Sequence, residues 1–235
     1  MTTAAAPARA EETVTTRSPA TPVVAILLAA CAGAVDLWAI TSLGGAYAGV
    51  ATGNLISIGR AAGDGRFAAL APPGIAITGF ALGVGCWPLL WRHQPQAVTG
   101  PLAAELALLT VVAGGWVATA SHPGQAPTLA LLAVAAMAMG AQSATALRLG
   151  EPTTYLTGAL TGIVVALVSG KGLLRLTAAR QLIALTAGAS IAALLLVHLR
   201  WAVPVAAVAP LSAAMVVRGI PAMRARRHSP QEGTS

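Results

Sequence analysis

Apolar stretches separated by short polar joints recur along the whole chain. A membrane-crossing helix needs about 20 such residues. Helical runs fall at roughly 22–43, 46–62, 73–92, 101–120, 127–147, 153–170, 178–199 and 203–219. The second and sixth are short and carry the most Gly and Thr. Pro72, Pro73, Pro101, Pro127, Pro152 and Pro204 punctuate the starts, where a missing N–H costs least. The pattern predicts an all-α polytopic membrane protein of eight elements. A tail over 1–20 and a basic tail over 223–235 are expected to be disordered and cytoplasmic.

Shifting the sequence by 105 residues lays the first half on the second. Thr52 and Gly53 fall on Thr157 and Gly158, Leu55 on Leu160, Gly45 on Gly150 and Gly83 on Gly188. Two membrane repeats of four elements, over 21–120 and 121–222, account for this. If all eight elements cross, the copies are parallel about an axis along the membrane normal. If the two short elements are re-entrant, six cross and the copies are inverted. Of the 14 Lys and Arg residues, all but three lie on the side of the termini. The exceptions are Arg92, Arg148 and Arg200 for eight crossings, or Arg60, Arg66 and Arg200 for six. Either count holds both termini in the cytoplasm of a bacterial inner membrane. A row of small residues at every fourth position suits a packed crossing helix, which favours eight crossings over six.

Composition narrows the class. Charged residues make up 9% of the chain and apolar ones 56%, with a mean hydropathy of +0.76, whereas soluble domains carry about 25% charged residues. The net charge of +7 invites a nucleic-acid reading. Yet the basic residues stand singly or in pairs at the ends of apolar runs, and Arg224, Arg226 and Arg227 cluster after the last one. That distribution suits membrane lipids and not nucleic acid. Cys31 and Cys86 lie inside apolar runs, so neither a disulfide nor a metal site is implied. The "LAAC" ending at Cys31 matches a lipoprotein cleavage box, but the apolar run continues past it and is read as a retained span. His122, His198 and His228 stand apart from Cys, Asp and Glu. Without a nucleotide loop or a nucleophile–base pair, neither an enzyme nor a cofactor is expected.

Asp36 is the only charge between Arg17 and Arg60. A carboxylate at that depth costs about 2.5–3.5 kcal/mol on insertion scales, so it needs a partner, a cavity or a role. It is read as a proton or cation carrier at a binding site, or as a neutral acid that fixes helix packing. Thr52 and Asn54 add polar groups at membrane depth. Gly45, Gly49, Gly53 and Ser57 are four apart, a stripe for close helix approach that Gly158 and Gly162 continue in the second half. Asp36 falls on Ala141, beside Gln142, and Asn54 falls on Ala159. The expected site therefore joins Asp36, Thr52 and Asn54 to the neutral Gln142 and Thr157. Glu105 is assigned to the first turn of its helix, where the helix dipole accounts for it. Trp87, Trp91, Trp116 and Trp201 are expected as interfacial anchors.

These motifs resemble those of the YoaK family of bacterial integral membrane proteins, whose function is uncharacterised. The matching positions are Gly33 and Asp36, then Thr52, Gly53 and Asn54, then Gly140 and Gln142, and finally Thr153, Thr154, Tyr155, Thr157 and Gly158. The likeness runs from about 22 to 220 and implies a membrane protein without implying a substrate. The expected function is a small-solute transporter, proton-coupled through Asp36. The alternative is a membrane scaffold or assembly factor in which the same residues only hold helices together. The sequence does not fix the oligomeric state.

Overall fold

A computed structural model describes residues 21–94, 98–150, 156–169 and 176–227. The described residues form eight α-helices and no strand. The helices are α1 (Thr21–Ser42), α2 (Ala51–Gly63), α3 (Ala71–Leu90), α4 (Thr99–Ala118), α5 (Gln125–Arg148), α6 (Leu156–Val168), α7 (Leu176–His198) and α8 (Val203–Arg227). Pro72 and Pro73 sit in the first turn of α3, where no N–H is needed. The last helix continues to Arg227, beyond the expected end at 219, so residues 223–227 of the expected tail are helical.

Six of the helical segments are long and apolar enough to cross a membrane. The exceptions among the described residues are α2 and α6, each described over 13 residues. Such a helix rises about 20 Å, short of a hydrocarbon core of about 30 Å. The favoured arrangement of eight crossings is therefore corrected to its alternative of six crossings and two short elements. One contact makes the same point. Trp38, near the end of α1, meets Trp116, near the end of α4, edge to face with ring centroids 5.4 Å apart. Eight crossings would send these two helix ends to opposite faces.

More residues gather at that end of the bundle. Trp116 Nε1 donates to the Arg200 carbonyl at 2.9 Å, and Arg200 Nε donates to the Ser121 carbonyl at 2.9 Å. The guanidinium also lies 5.3 Å from the centre of the Trp116 ring. Thus α1, α4 and α7 all finish here, and α5 and α8 start here. The opposite end holds Thr21, the first residue of α4 and the last of α5. We call it the termini end. It follows that α2 lies at the far end, and α6, which follows α5, lies at the termini end.

The helices pair in an exchangeable pattern. α1 packs along α7 and α3 along α5; α1 also meets α8 while α4 meets α5; α2 leans on α3 and α6 on α7. α1 and α5 also touch each other, as do α4 and α8; α7 meets α8 without an equivalent α3–α4 pairing of comparable extent. Glycines set the closest crossings. A Cβ on Gly33 would stand 2.8 Å from the carbonyl carbon of Leu185, and one on Gly188 at the same distance from that of Ala30. On α3 and α5, a Cβ on Gly83 would stand 2.9 Å from the Ala141 nitrogen, and one on Gly140 3.0 Å from the Val84 nitrogen. Backbone meets backbone at both crossings. Two tryptophans depart from their expected place at the interface. Trp87 and Trp116 are buried, with Trp116 at 0% exposure, because both turn inward at helix crossings.

Candidate functional site

Between α1 and α2 the chain leaves helical geometry over residues 43–50. Gly44 and Gly45 take φ of +103° and +79°, values that L side chains rarely adopt, and they turn the chain back toward α3. Backbone outside a helix at this depth needs partners, since lipid supplies none. Two side chains provide them. Asp36 Oδ1 accepts the Gly49 N–H at 2.6 Å. Asn54 takes Tyr47 from both sides: its Oδ1 accepts the Tyr47 N–H at 2.9 Å and its Nδ2 donates to the Tyr47 carbonyl at 2.7 Å. A Cβ on Gly49 would meet Asp36 Oδ2 at 3.3 Å and the Met139 side chain at 3.5 Å. The loop is therefore held between α1 and α5.

A second polar layer lies toward the termini end. Gln142 of α5 is 1% exposed, and its Nε2 donates to the Leu28 carbonyl of α1 at 2.9 Å. Among the described residues, its Oε1 has no partner, and neither oxygen of Glu105 on α4 has one. Glu105 is fully buried. It is six residues, about 9 Å, in from the start of α4 at Thr99, and Gln142 is six residues in from the end of α5 at Arg148. Ala104, Leu108 and Trp91 pack against a cluster of Trp87, Ala141 and Ala144 at the same level. The Trp87 and Trp91 indole N–H groups are also buried without a partner among the described residues. Both carboxyl groups, Asp36 and Glu105, are within electrostatic reach of the buried Cys31 thiol.

A family model for proteins of unknown function, DUF1275, matches residues 24–217. The chain belongs to this family. No curated protein and no solved structure matches it.

Within this DUF1275 chain the expected site residues separate. Asp36 and Asn54 come together on the 43–50 loop. Gln142 sits in the other layer, and Thr52 is exposed on α2, away from both, because α2 buries the Asn54 face. The side chain of Thr157 lies outside the described residues, as do Thr153, Thr154 and Tyr155. The glycine stripe is also corrected. Gly45 and Gly49 are in the loop and not on a helix face; a Cβ on Gly45 or Gly158 would meet nothing within 4 Å. A Cβ on Gly53 would meet the Tyr47 ring at 3.1 Å, not another helix. Gly162 is half-buried on α6. Close backbone approach belongs instead to Gly33, Gly79, Gly83, Gly140 and Gly188.

Sequence reasoning missed Glu105 as a buried group. The spacing of Leu102, Glu105, Leu109 and Val112 along one buried face was the available signal. Among the described residues, two of the apolar grooves that open on the surface border the long α1–α7 and α3–α5 pairs. One of about 650 Å³ runs between α3 and α5 past Phe67 and Met137, and one of about 370 Å³ lies where α1, α7 and α8 meet. Asp36, Asn54, Glu105 and Gln142 line neither.

Proposed function

We propose that this DUF1275 protein is a YoaK-like small-solute transporter of the bacterial inner membrane, built from two inverted repeats with both termini in the cytoplasm. The exchangeable helix pairing carries the reading. Every pairing of an element of 21–120 with one of 121–222 has a counterpart with the halves exchanged, or joins equivalent elements. Glycine contacts refine the register. Gly33 against Leu185 corresponds to Gly140 against Phe80, and Gly188 against Ala30 to Gly83 against Met137. The offset is therefore 105 for α3 and α7 but 107 for α1 and α5, so Asp36 corresponds to Ser143 and not to Ala141. Buried positions on α4 and α8 correspond at an offset of 102, which sets Glu105 opposite Ala207. Both carboxyl groups thus belong to the first repeat, so the two polar layers between the halves are asymmetric.

Inverted repeats with short helices entering from opposite faces are the architecture of secondary transporters. Six crossings leave only Arg60, Arg66 and Arg200 on the outer side, which supports cytoplasmic termini. Asp36 is the coupling group for the outer half-helix α2. An ionised acceptor holds an N–H about twice as strongly as a neutral one. Gain of a proton by Asp36 weakens its hold on Gly49 and frees the loop that carries α2. One observation favours the scaffold alternative: Asp36 and Asn54 both bind backbone, and neither groove reaches them. Transport then requires that α1 and α5 part to admit water.

Two measurements test this. Proteoliposomes carrying an inward proton gradient are screened for uptake of a panel of amino acids, sugars, organic acids and amines, with uptake of one class expected. In a Cys86→Ser background, Cys31 is expected to react slowly with a small water-soluble thiol reagent under native conditions. A Cys31 that reacts only after denaturation, together with no uptake across the panel, leaves the scaffold reading in place.

A further inference from the structure

The layer near the termini end contains acceptors that no donor reaches among the described residues. Glu105 Oε1 and Oε2 and Gln142 Oε1 are buried without a partner there, while the Gln142 amide donates outward to Leu28. The Trp87 and Trp91 indole N–H groups and Nη1 of Arg148 are also buried without a partner, and none of them bonds to Glu105. Three elements, α1, α4 and α5, converge there. No ion pair to Glu105 forms among the described residues. The titratable or charged groups on the helices packed around it are Cys31 and Asp36 of α1, Arg148 of α5, and Arg218, Arg224, Arg226 and Arg227 of α8, the last three at the very end of that helix. Cys31 is near and carries no positive charge. Arg148 stands at the end of α5, about 9 Å farther along. On α3, only Cys86 could titrate, and it is exposed.

An unpaired carboxylate in such a place loses its hydration and gains nothing in return. The layer needs a donor or a cation. A sodium or calcium ion takes about six or more oxygens, and three acceptors fall short of that. A proton is enough: it removes the charge of Glu105 and turns one of its two unpartnered oxygens into an O–H donor.

We infer that Glu105 is a proton-binding site, holding a proton in this closed packing and exchanging it with water when α4 and α5 separate. The step is one O–H bond formed or broken, with the proton passing to or from water. The inference deepens the transporter reading and its coupling role rests on it: Asp36 controls the loop at the outer end, and Glu105 holds the proton farther in. Occupancy by the proton does not require that reading.

The test uses the purified full-length protein in nanodiscs at neutral pH, with infrared spectra in the region of the protonated carboxyl C=O stretch. Wild type is expected to show a band that Glu105→Gln removes and Asp36→Asn retains. Glu105→Asp, which keeps a carboxyl if the amide variant folds poorly, is expected to shift the band and not abolish it. A wild-type spectrum unchanged by Glu105→Gln overturns the inference. In proteoliposomes, Glu105→Gln is expected to lose stimulation of uptake by the proton gradient. Uptake by Glu105→Gln with wild-type pH dependence overturns the coupling role and leaves the transporter reading intact. A Glu105-dependent band in a protein that moves no solute sinks the transporter reading and leaves the proton site standing.

Discussion

Gly188 of α7 faces the carbonyl of Ala30 on α1 so closely that a methyl group between them would stand 2.8 Å from the carbonyl carbon. No rotamer can relieve that clash, because the obstacle is backbone. Gly188→Val and Gly140→Val are therefore expected to force apart the α1–α7 and α3–α5 crossings. Overpacking of a fitted core costs about 1–3 kcal/mol or more, so both variants should melt far earlier in detergent or fail to accumulate. Gly158→Val meets open space and should stay within about 0.5 kcal/mol of wild type. Equal melting temperatures for all three would refute the crossing geometry.

Asn54→Ala removes one acceptor and one donor from Tyr47, leaving two backbone groups unsatisfied in a nonhelical loop. The cost is expected at about 1–3 kcal/mol for each group left unpaired, read as a lower melting temperature. Asn54→Asp keeps the acceptor for the Tyr47 N–H and loses the donor to its carbonyl, and should fall between wild type and Ala. A silent Asn54→Ala would mean that the loop finds other partners.

Asp36→Asn preserves an acceptor for the Gly49 N–H and is expected to fold with a small loss of stability, whereas Asp36→Ala should cost about 1–3 kcal/mol. Since the amide cannot titrate, Asp36→Asn should also flatten the pH dependence of uptake. An Asn variant indistinguishable from wild type in stability and in uptake at every pH would reduce Asp36 to a structural clamp.

Arg200 and Trp116 hold three helix ends together, through two hydrogen bonds and a ring–guanidinium contact. Trp116→Phe leaves the Arg200 carbonyl without its indole donor and should lower stability by about 1 kcal/mol. Arg200→Ala removes the donor to Ser121 and the cation over the ring, and should cost more. Thermal shifts of both variants in one detergent would test this order.

A short epitope inserted at Asp64, between α2 and α3, is expected on the side of the membrane opposite the N-terminus. Six crossings require it, and eight would bring it back to the same side. Protease or antibody access in intact spheroplasts decides the matter. An epitope reached only after permeabilisation would restore eight crossings.

The class and most helix positions were legible in the sequence because hydropathy and proline reveal a buried span without knowledge of its neighbours. What misled was register and length. The every-fourth row through Gly45, Gly49 and Gly53 reads as a helix face, but positive φ at Gly44 and Gly45 breaks the helix before α2 begins. A single 105-residue shift cannot carry the two-residue difference proposed for α1 and α5, because Ala-rich helices align with themselves almost anywhere. Asp36 and Asn54 stood out as polar residues in an apolar run. Their target, a stretch of loop backbone, has no side-chain signature to announce it. Glu105 was hidden by its nearness to a helix start, where an acid is ordinarily at home.

The exchangeable pairing has a consequence for how the chain enters the bilayer. If the halves are the proposed inverted repeats, the two ends of the bundle are alike in shape, and the fold itself gives the insertion machinery little by which to tell one way up from the other. The choice then falls to the basic residues, which stand 11 to 3 in favour of the termini side. Relocating a few of them from the termini side to the 60–66 hairpin should give a population facing both ways, each molecule folded and equally stable.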